Sequence, residues 1–303
     1  MHKLIAICGG NKAADAFRKT VSGDPTGAPK WAQQMAIGND IGLFGEASAV
    51  WEVHGCISTL VGGIRALLMQ AAHPAALTGV AEHSQYDTDP LGRLERTTRW
   101  LTITSFGSTE AIEIEARRVN EIHKKVTGEF PSEHQPGQSY SARDPRFLLW
   151  VHCAFTESFL RTYEELGYSN KDIADQYIGE WSKSAKPLGL DKAPQSLIEL
   201  ADEMKRFAKD EVCRIPMTPP IVAFILEPPF SRGGLFFYRI LCNAAISTID
   251  EPFLSVLGLK KRSKVWLRIS KVLLDFLSYM LGHESPSQKI ARERIKRIQL
   301  NHG

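Results

Sequence analysis

Residues 46–74 read EASAVWEVHGCISTLVGGIRALLMQAAHP, and this stretch decides the fold class. Val50, Val53, Ile57, Leu60, Val61, Ile64, Leu67 and Leu68 recur at three-to-four spacing, which over roughly five turns marks a helix with one face in a core. The spacing predicts a helical run from Glu46 to His73-Pro74, where the proline disfavours helix at the residue before it or kinks the chain. Outward from there the same period recurs. A helix is expected after Pro90, from Arg93 to Thr104. Another is expected from Glu110 to Val126, opened by Ser108-Thr109-Glu110 and closed by Gly128, with acidic residues early and lysines late as the helix dipole prefers. Pro131 to Ser141 reads as a polar loop, and Asp144-Pro145 starts a strongly apolar helix that runs to about Leu166. Further helical patterns lie at Asn170–Ser184, Ala193–Phe207, Ile221–Leu226, Gly234–Ser247 and Lys264–Leu281, with a charged terminal helix from Ser287.

Alternating strand-like runs are nearly absent, and no solenoid repeat is visible. The expectation is an all-α, single multi-helix domain of nine or ten helices. A lead-in spans 1–39, with turn chemistry at Gly23 to Pro29. The helical domain spans 40–250, and a C-terminal helical extension at 251–303 is expected to be more peripheral.

Composition narrows the function classes. With 303 residues, 43% hydrophobic and 23% charged, the chain can bury a substantial core and is not a disordered protein. The net charge of +3 balances 37 basic against 34 acidic residues, too little for a nucleic-acid field. Basic residues concentrate locally, in Lys260-Lys261-Arg262 and between Lys289 and Arg297. Cys8, Cys56, Cys153, Cys213 and Cys242 are odd in number, widely spaced and form no CxxC or CxxCH, so no disulfide framework, zinc ribbon or covalent c-type haem is suggested. The apolar stretch before Asn11 and Lys12 is shorter than a signal h-region. Leu60–Val80 and Leu235–Ile249 each contain an arginine and are interrupted or too short to form a free-standing span. A cytoplasmic protein is expected. The terminal helix with Lys289, Arg292, Arg294, Lys296 and Arg297 reads as a solvated helix, the alternative being peripheral contact with a membrane or acidic partner.

No GxGxxG, GxxxxGK[ST], GxSxG, HExxH or EF-hand loop is present, and no histidine follows a glutamate by three residues, which removes the di-iron bundle reading. What remains is a set of histidines on apolar helices. Leu148, His152, Phe155 and Phe159 share one helical face. The imidazole on that stripe is either a core histidine bonded to a carbonyl or a proximal ligand to haem iron. Arg93, Arg96, Thr97 and Trp100 also share a face. They are either a solvated surface with snorkelling stems or a site for an anionic group such as a haem propionate. His73-Pro74 and Glu82-His83-Ser84 flank an alanine-rich turn and read as structural, with a cavity-lining role for His83 as the functional alternative.

These motifs, in order, are Gly42 to Phe44, Val61 to Pro74, Gly79 to Ser84, Asp89 to Thr97, and Tyr140 to Pro145 leading to Leu149-Trp150-Val151-His152. Together they resemble the DUF2236 family, the catalytic domain shared by latex-clearing (rubber) oxygenases and the fungal oxygenase that trims a farnesyl chain. The resemblance covers roughly residues 40 to 250. It implies an all-α fold with a globin-like core around non-covalent haem b, with His152 as the axial iron ligand. It also implies that Arg93 and Thr97 line or organise the haem site, with Arg96 and His83 as further candidates for its distal side. Rubber oxygenases carry a lysine where this chain has Arg96. Arginine stays protonated and is a poor metal ligand, so a lysine-capped resting haem is not expected, and the difference argues against rubber as substrate. The expectation is a haem b oxygenase that uses dioxygen to insert oxygen into, or cleave a C=C bond of, a hydrophobic small molecule such as an isoprenoid. The alternatives are a non-catalytic haem-binding protein for gas sensing or haem storage, and a helical domain that has lost its cofactor.

Overall fold

A computed structural model describes residue 15, residues 18–19, and residues 24–83, 90–130, 139–169 and 172–302, the side chains of 90–94 and 302 excepted. In chain order its α-helices are α1 (Ala49–Gly55), α2 (Thr59–Ala71), α3 (Pro74–His83), α4 (Pro90–Phe106), α5 (Thr109–His123), α6 (Pro145–Glu165) and α7 (Ala174–Trp181). They continue as α8 (Leu197–Asp210), α9 (Thr218–Leu226), α10 (Arg232–Ser247), α11 (Glu251–Leu257), α12 (Val265–Leu281) and α13 (Pro286–His302). A 3-10 helix at Lys30–Ala36 precedes them, and one small hairpin pairs β1 (Thr127–Glu129) with β2 (Ser139–Ser141). The fold is all-α.

Local chemistry sets the helix ends. Ser48, Ser108, Asp144 and Ser196 accept backbone N–H bonds from Trp51, Ala111, Arg146 and Glu199 and so cap α1, α5, α6 and α8. The helical run expected from Glu46 to His73 is two helices. The chain is extended at Cys56, and a Cβ on Gly55 would lie 2.2 Å from the Gln288 side chain of α13, so the break admits a close approach from the C-terminal helix. The alanine-rich turn expected after His73 is helix α3, with Pro74 at its first position, where a missing N–H is harmless. The helix expected to reach Val126 and close at Gly128 ends at His123, and Gly128 lies in β1 opposite Tyr140. Tyr140 packs there with Phe130, Phe147 and Ala75, an aromatic burial between distant segments that local propensity does not contain.

The centre of the molecule is the α2–α6 pair, which pack more extensively than any other two described elements. Gly62 permits it, because a Cβ there would sit 2.6 Å from the Phe159 ring. One hydrophobic cluster runs from Trp31 through both helices to Phe253, Leu267, Leu274, Ala291 and Ile295. The segment after residue 250 therefore shares the core.

Arg65, 1% exposed in the middle of α2, meets the Glu157 carboxylate of α6 with both guanidinium ends, one bond measuring 2.8 Å. It also donates to Ser158 Oγ at 2.8 Å and to Thr248 Oγ1 at 3.1 Å. Arg161 extends the network, reaching Glu157 at 3.1 Å and Asp250 at 2.7 and 2.9 Å. Burial raises the Asp250 pKa, but the bonds from Arg161 outweigh it and hold the carboxyl below its usual range.

Helix α13 straps one face onto the protein and leaves the other in solvent, with Lys289, Lys296 and Arg297 exposed. Arg294, 1% exposed, donates to the Met35 and Phe106 carbonyls at 2.7 and 3.0 Å, and Arg297 donates to the Ala36 carbonyl at 3.0 Å. Arg292 lies between Glu46 and Glu284 and over the Trp51 ring. Three of its five expected surface cations thus bond the protein itself.

Removing Glu157 strands a buried guanidinium. Glu157→Ala is expected to lower the unfolding free energy by about 3 kcal/mol, read from urea denaturation, and Arg65→Met/Glu157→Leu to recover most of that loss because the buried charge goes with its partner.

Candidate functional site

Helices α1, α4, α6 and α7 meet around one indole. Tyr177 and Trp181, four residues apart on α7, share a face and are 0% and 2% exposed. The His54 ring of α1 meets the Trp181 ring edge-on at 4.4 Å. The His152 ring of α6 lies nearly parallel to that indole, at 6.5 Å and 10°. Phe159, further along the His152 face of α6, is 5.1 Å from His54, so the apolar stripe expected around His152 lines this neighbourhood.

The two histidines differ in their bonding. Ser105 Oγ donates its hydrogen to the Leu101 carbonyl at 2.7 Å and therefore accepts from His54 Nδ1–H at 2.6 Å. That leaves Nε2 with a lone pair, to which the Tyr177 hydroxyl donates at 2.8 Å. His54 is thus a fully satisfied neutral imidazole, and burial pushes its pKa down to about 3. Burial likewise raises the Tyr177 hydroxyl pKa, keeping it a donor.

His152 Nε2 is buried and has no partner. Burial pushes its pKa down to about 4, so the ring stays neutral at physiological pH. A buried nitrogen without a bond costs about 1–3 kcal/mol and calls for an explanation. Two other histidines keep a bare Nδ1. His73, 2% exposed, is tied through Nε2 to Glu211 at 3.3 Å, within a cluster where Arg146 and Arg206 also bond Glu211. Burial raises the Glu211 pKa, but these three partners hold its carboxyl down at about 2. His123 closes α5. His152 differs from both in presenting its outer nitrogen, the one farthest from its own backbone and best suited to bind a metal.

The chain is helical at Arg93, Arg96, Thr97 and Trp100, so these positions share a face of α4 as expected. The Arg93 side chain lies outside the described residues. Arg96 is exposed, and Thr97 and Trp100 are half-buried. Thr97, Leu101 and Ser105 follow one another at intervals of four, so the face that carries Arg93 and Thr97 continues into the residues that bond His54. His83 is placed elsewhere. It is exposed at the end of α3, where Nε2 donates to the Thr127 carbonyl at 3.2 Å, and its neighbour Glu82 accepts from Tyr140 at 2.8 Å. No described contact links His83 to His152.

Among the described residues no three His, Cys, Asp or Glu side chains converge on a metal-sized point. A lone neutral imidazole in apolar surroundings suits a cofactor that brings its own remaining ligands, as haem does. The chemistry of the one donor, a bare neutral Nε2, matches what that group needs from the protein. A surface cleft of about 460 Å³ lies between α1 and α13, lined by Glu46, Trp51, Glu52, Cys56 and Arg292 among others, and His152 is not on its walls.

The sequence singles out His152 and gives no sign of its neighbours His54, Tyr177, Trp181 and Ser105. The i, i+4 spacing of Tyr177 and Trp181 signals one aromatic face, but their contact with His54 spans more than a hundred residues, and no local pattern encodes it.

Among curated proteins and solved structures nothing matches the chain. Residues 51–278, more than half of its length, match the family described as ER-bound oxygenase mpaB/B'/Rubber oxygenase, catalytic domain. The match takes in all four helices around Trp181, and the chain belongs to the mpaB/rubber oxygenase catalytic-domain family.

Proposed function

We propose that the protein is a haem b-dependent oxygenase acting on a hydrophobic small molecule, with His152 as the residue that would hold the haem iron. The observation that carries this reading is the bare Nε2 of His152, buried and neutral beside a second histidine whose nitrogens are both satisfied. Bound there, haem supplies the redox iron at which dioxygen is used. His152 contributes a neutral imidazole, and Trp181 limits how far its ring can swing. Arg93 would anchor a propionate, and Thr97 would hydrogen-bond within the same site. Arg96 and His83 remain candidates for the distal pocket, Arg96 because it shares the α4 face and His83 as the cavity-lining candidate of the Glu82-His83-Ser84 segment. The His54–Tyr177–Ser105 chain holds α1, α7 and α4 at fixed spacing around the indole. The apolar surroundings favour an isoprenoid-like substrate and keep water from the reacting atoms. The free cysteines Cys56, Cys153, Cys213 and Cys242 suit a reducing compartment, the cytoplasm in this reading.

Protein purified from haem-supplemented cells is expected to show a Soret band with one haem b per chain by pyridine haemochrome, to lose it in His152→Ala, and to keep it in His54→Leu. The latter loses about 1–3 kcal/mol of stability because the Tyr177 hydroxyl is left unbonded. Oxygen uptake by the loaded protein should rise on adding squalene in detergent. A colourless wild type that also refuses hemin contradicts the haem assignment, and haem binding without uptake across unsaturated lipids contradicts the oxygenase step.

Protonation competes with iron for His152 Nε2, and burial holds that pKa near 4. Haem retention should therefore be flat from about pH 8 to about pH 5 and fall as the pH drops through about 4. A pH titration of the Soret band reads this directly, and loss centred near the ordinary histidine value of about 6.5 would contradict the buried-ligand account.

A further inference from the structure

Helix α12 is apolar on the wrong side. Its inward face packs Leu267, Ser270 and Leu274 into the core. On the opposite side Val265, Ile269, Val272, Phe276 and Tyr279 form a ridge, 48%, 41%, 72%, 60% and 38% exposed. Their spacings of four, three, four and three residues place them on one line along the helix. Surface helices of soluble proteins turn a polar face outward, and a continuous exposed apolar ridge marks an interaction surface. Phe236 and Phe237, 63% and 52% exposed, lie on α10, the helix packed beside α12.

The charge around this ridge selects its occupant. Residues 258–283 carry Lys260, Lys261, Arg262, Lys264, Arg268 and Lys271 against a single acid, Asp275. Lys264 pairs with Glu165, Lys271 pairs with Asp275, and Lys261 donates to the Ile249 carbonyl. Lys260, Arg262 and Arg268 are exposed, and among the described residues no ion pair or hydrogen bond occupies them. A second copy of the chain docked symmetrically would set this basic surface against itself. An anionic bilayer matches both parts, taking the apolar ridge into the acyl boundary and the cations to its headgroups. No helix among the described residues is long and apolar enough to cross a membrane, so the contact is in the plane of the surface.

We propose that α12 docks the protein on an anionic lipid surface through Val265, Ile269, Val272, Phe276 and Tyr279, with Lys260, Arg262 and Arg268 on the headgroups. This surface is independent of the cofactor reading, since no residue of the His152 site belongs to it.

Sedimentation of the full chain with phosphatidylcholine vesicles, with and without added phosphatidylserine, tests it. The wild type is expected to bind the anionic vesicles, to release them as salt is raised, and to bind pure phosphatidylcholine far more weakly. Arg262→Ala and Arg268→Ala should each weaken binding roughly fivefold. Val272→Ser/Phe276→Ser should weaken it at least about tenfold with an unchanged circular-dichroism melt, because both side chains are exposed. Lys289→Ala on α13 should bind as wild type does. Absence of wild-type binding, or equal binding by the ridge variants, overturns the proposal. So does a concentration-dependent dimer in sedimentation velocity that the Val272→Ser/Phe276→Ser variant dissolves, which would assign the ridge to a second copy.

Discussion

The structure depends on a charge placed where a charge is expensive. Arg65 lies in the middle of the central helix α2, and its guanidinium is removed from water. Only a partner of matching shape makes that tolerable. Glu157 supplies the carboxylate, Ser158 and Thr248 take further donors, and Arg161 and Asp250 extend the pairing toward the surface. These residues belong to α2, α6 and the α10–α11 junction. The apolar core gives the helices a reason to collapse, and the buried ion pair restricts them to one arrangement.

That restriction reaches the functional site through α6. Glu157 is five residues beyond His152, a little under one and a half turns. Fixing Glu157 against α2 sets the rotation of α6 about its own axis, and so aims the His152 face at α1 and α7. There Trp181 takes the His152 ring on one side and the His54 edge on another. The polar chain through Tyr177, His54, Ser105 and the Leu101 carbonyl spends every donor it contains. Of the two histidines that meet Trp181, His152 is the one with a buried nitrogen left unbonded. A buried nitrogen without a bond calls for an explanation, and on His152 it is the outer nitrogen that is bare. Evolutionary kinship with oxygenases and the local chemistry of the imidazole therefore point the same way by separate routes.

Much of this was readable from the chain. The stripe through Val61, Ile64 and Leu68, the Asp144-Pro145 start of α6 and the Ser108 cap of α5 are local patterns, and local patterns fix helices. His152 stood out because one polar residue interrupted an apolar face. The break at Gly55 was not readable, since it answers to Gln288 at the far end of the chain. The same holds for the hairpin that buries Tyr140. The arginine in the apolar run 60–80 was read only as an argument against a membrane span, and nothing local in the sequence pairs it with Glu157. The terminal helix shows the limit most plainly: its five cations suggested a solvated surface, yet Arg294 and Arg297 serve carbonyls of residues 35–38 and 106. The outward apolar ridge of α12 escaped notice for the related reason that periodicity shows an apolar face without showing which way it points.

The central claim is that one bare nitrogen on His152 holds the cofactor, and ligand replacement tests it most directly. His152→Gly removes the imidazole and leaves a hole of its size. The account predicts that this variant takes up no stoichiometric hemin alone, and that adding free imidazole restores a one-to-one complex with the wild-type Soret spectrum. A His152→Gly protein that binds hemin with the wild-type spectrum without imidazole would show that another side chain holds the iron, and would contradict the account.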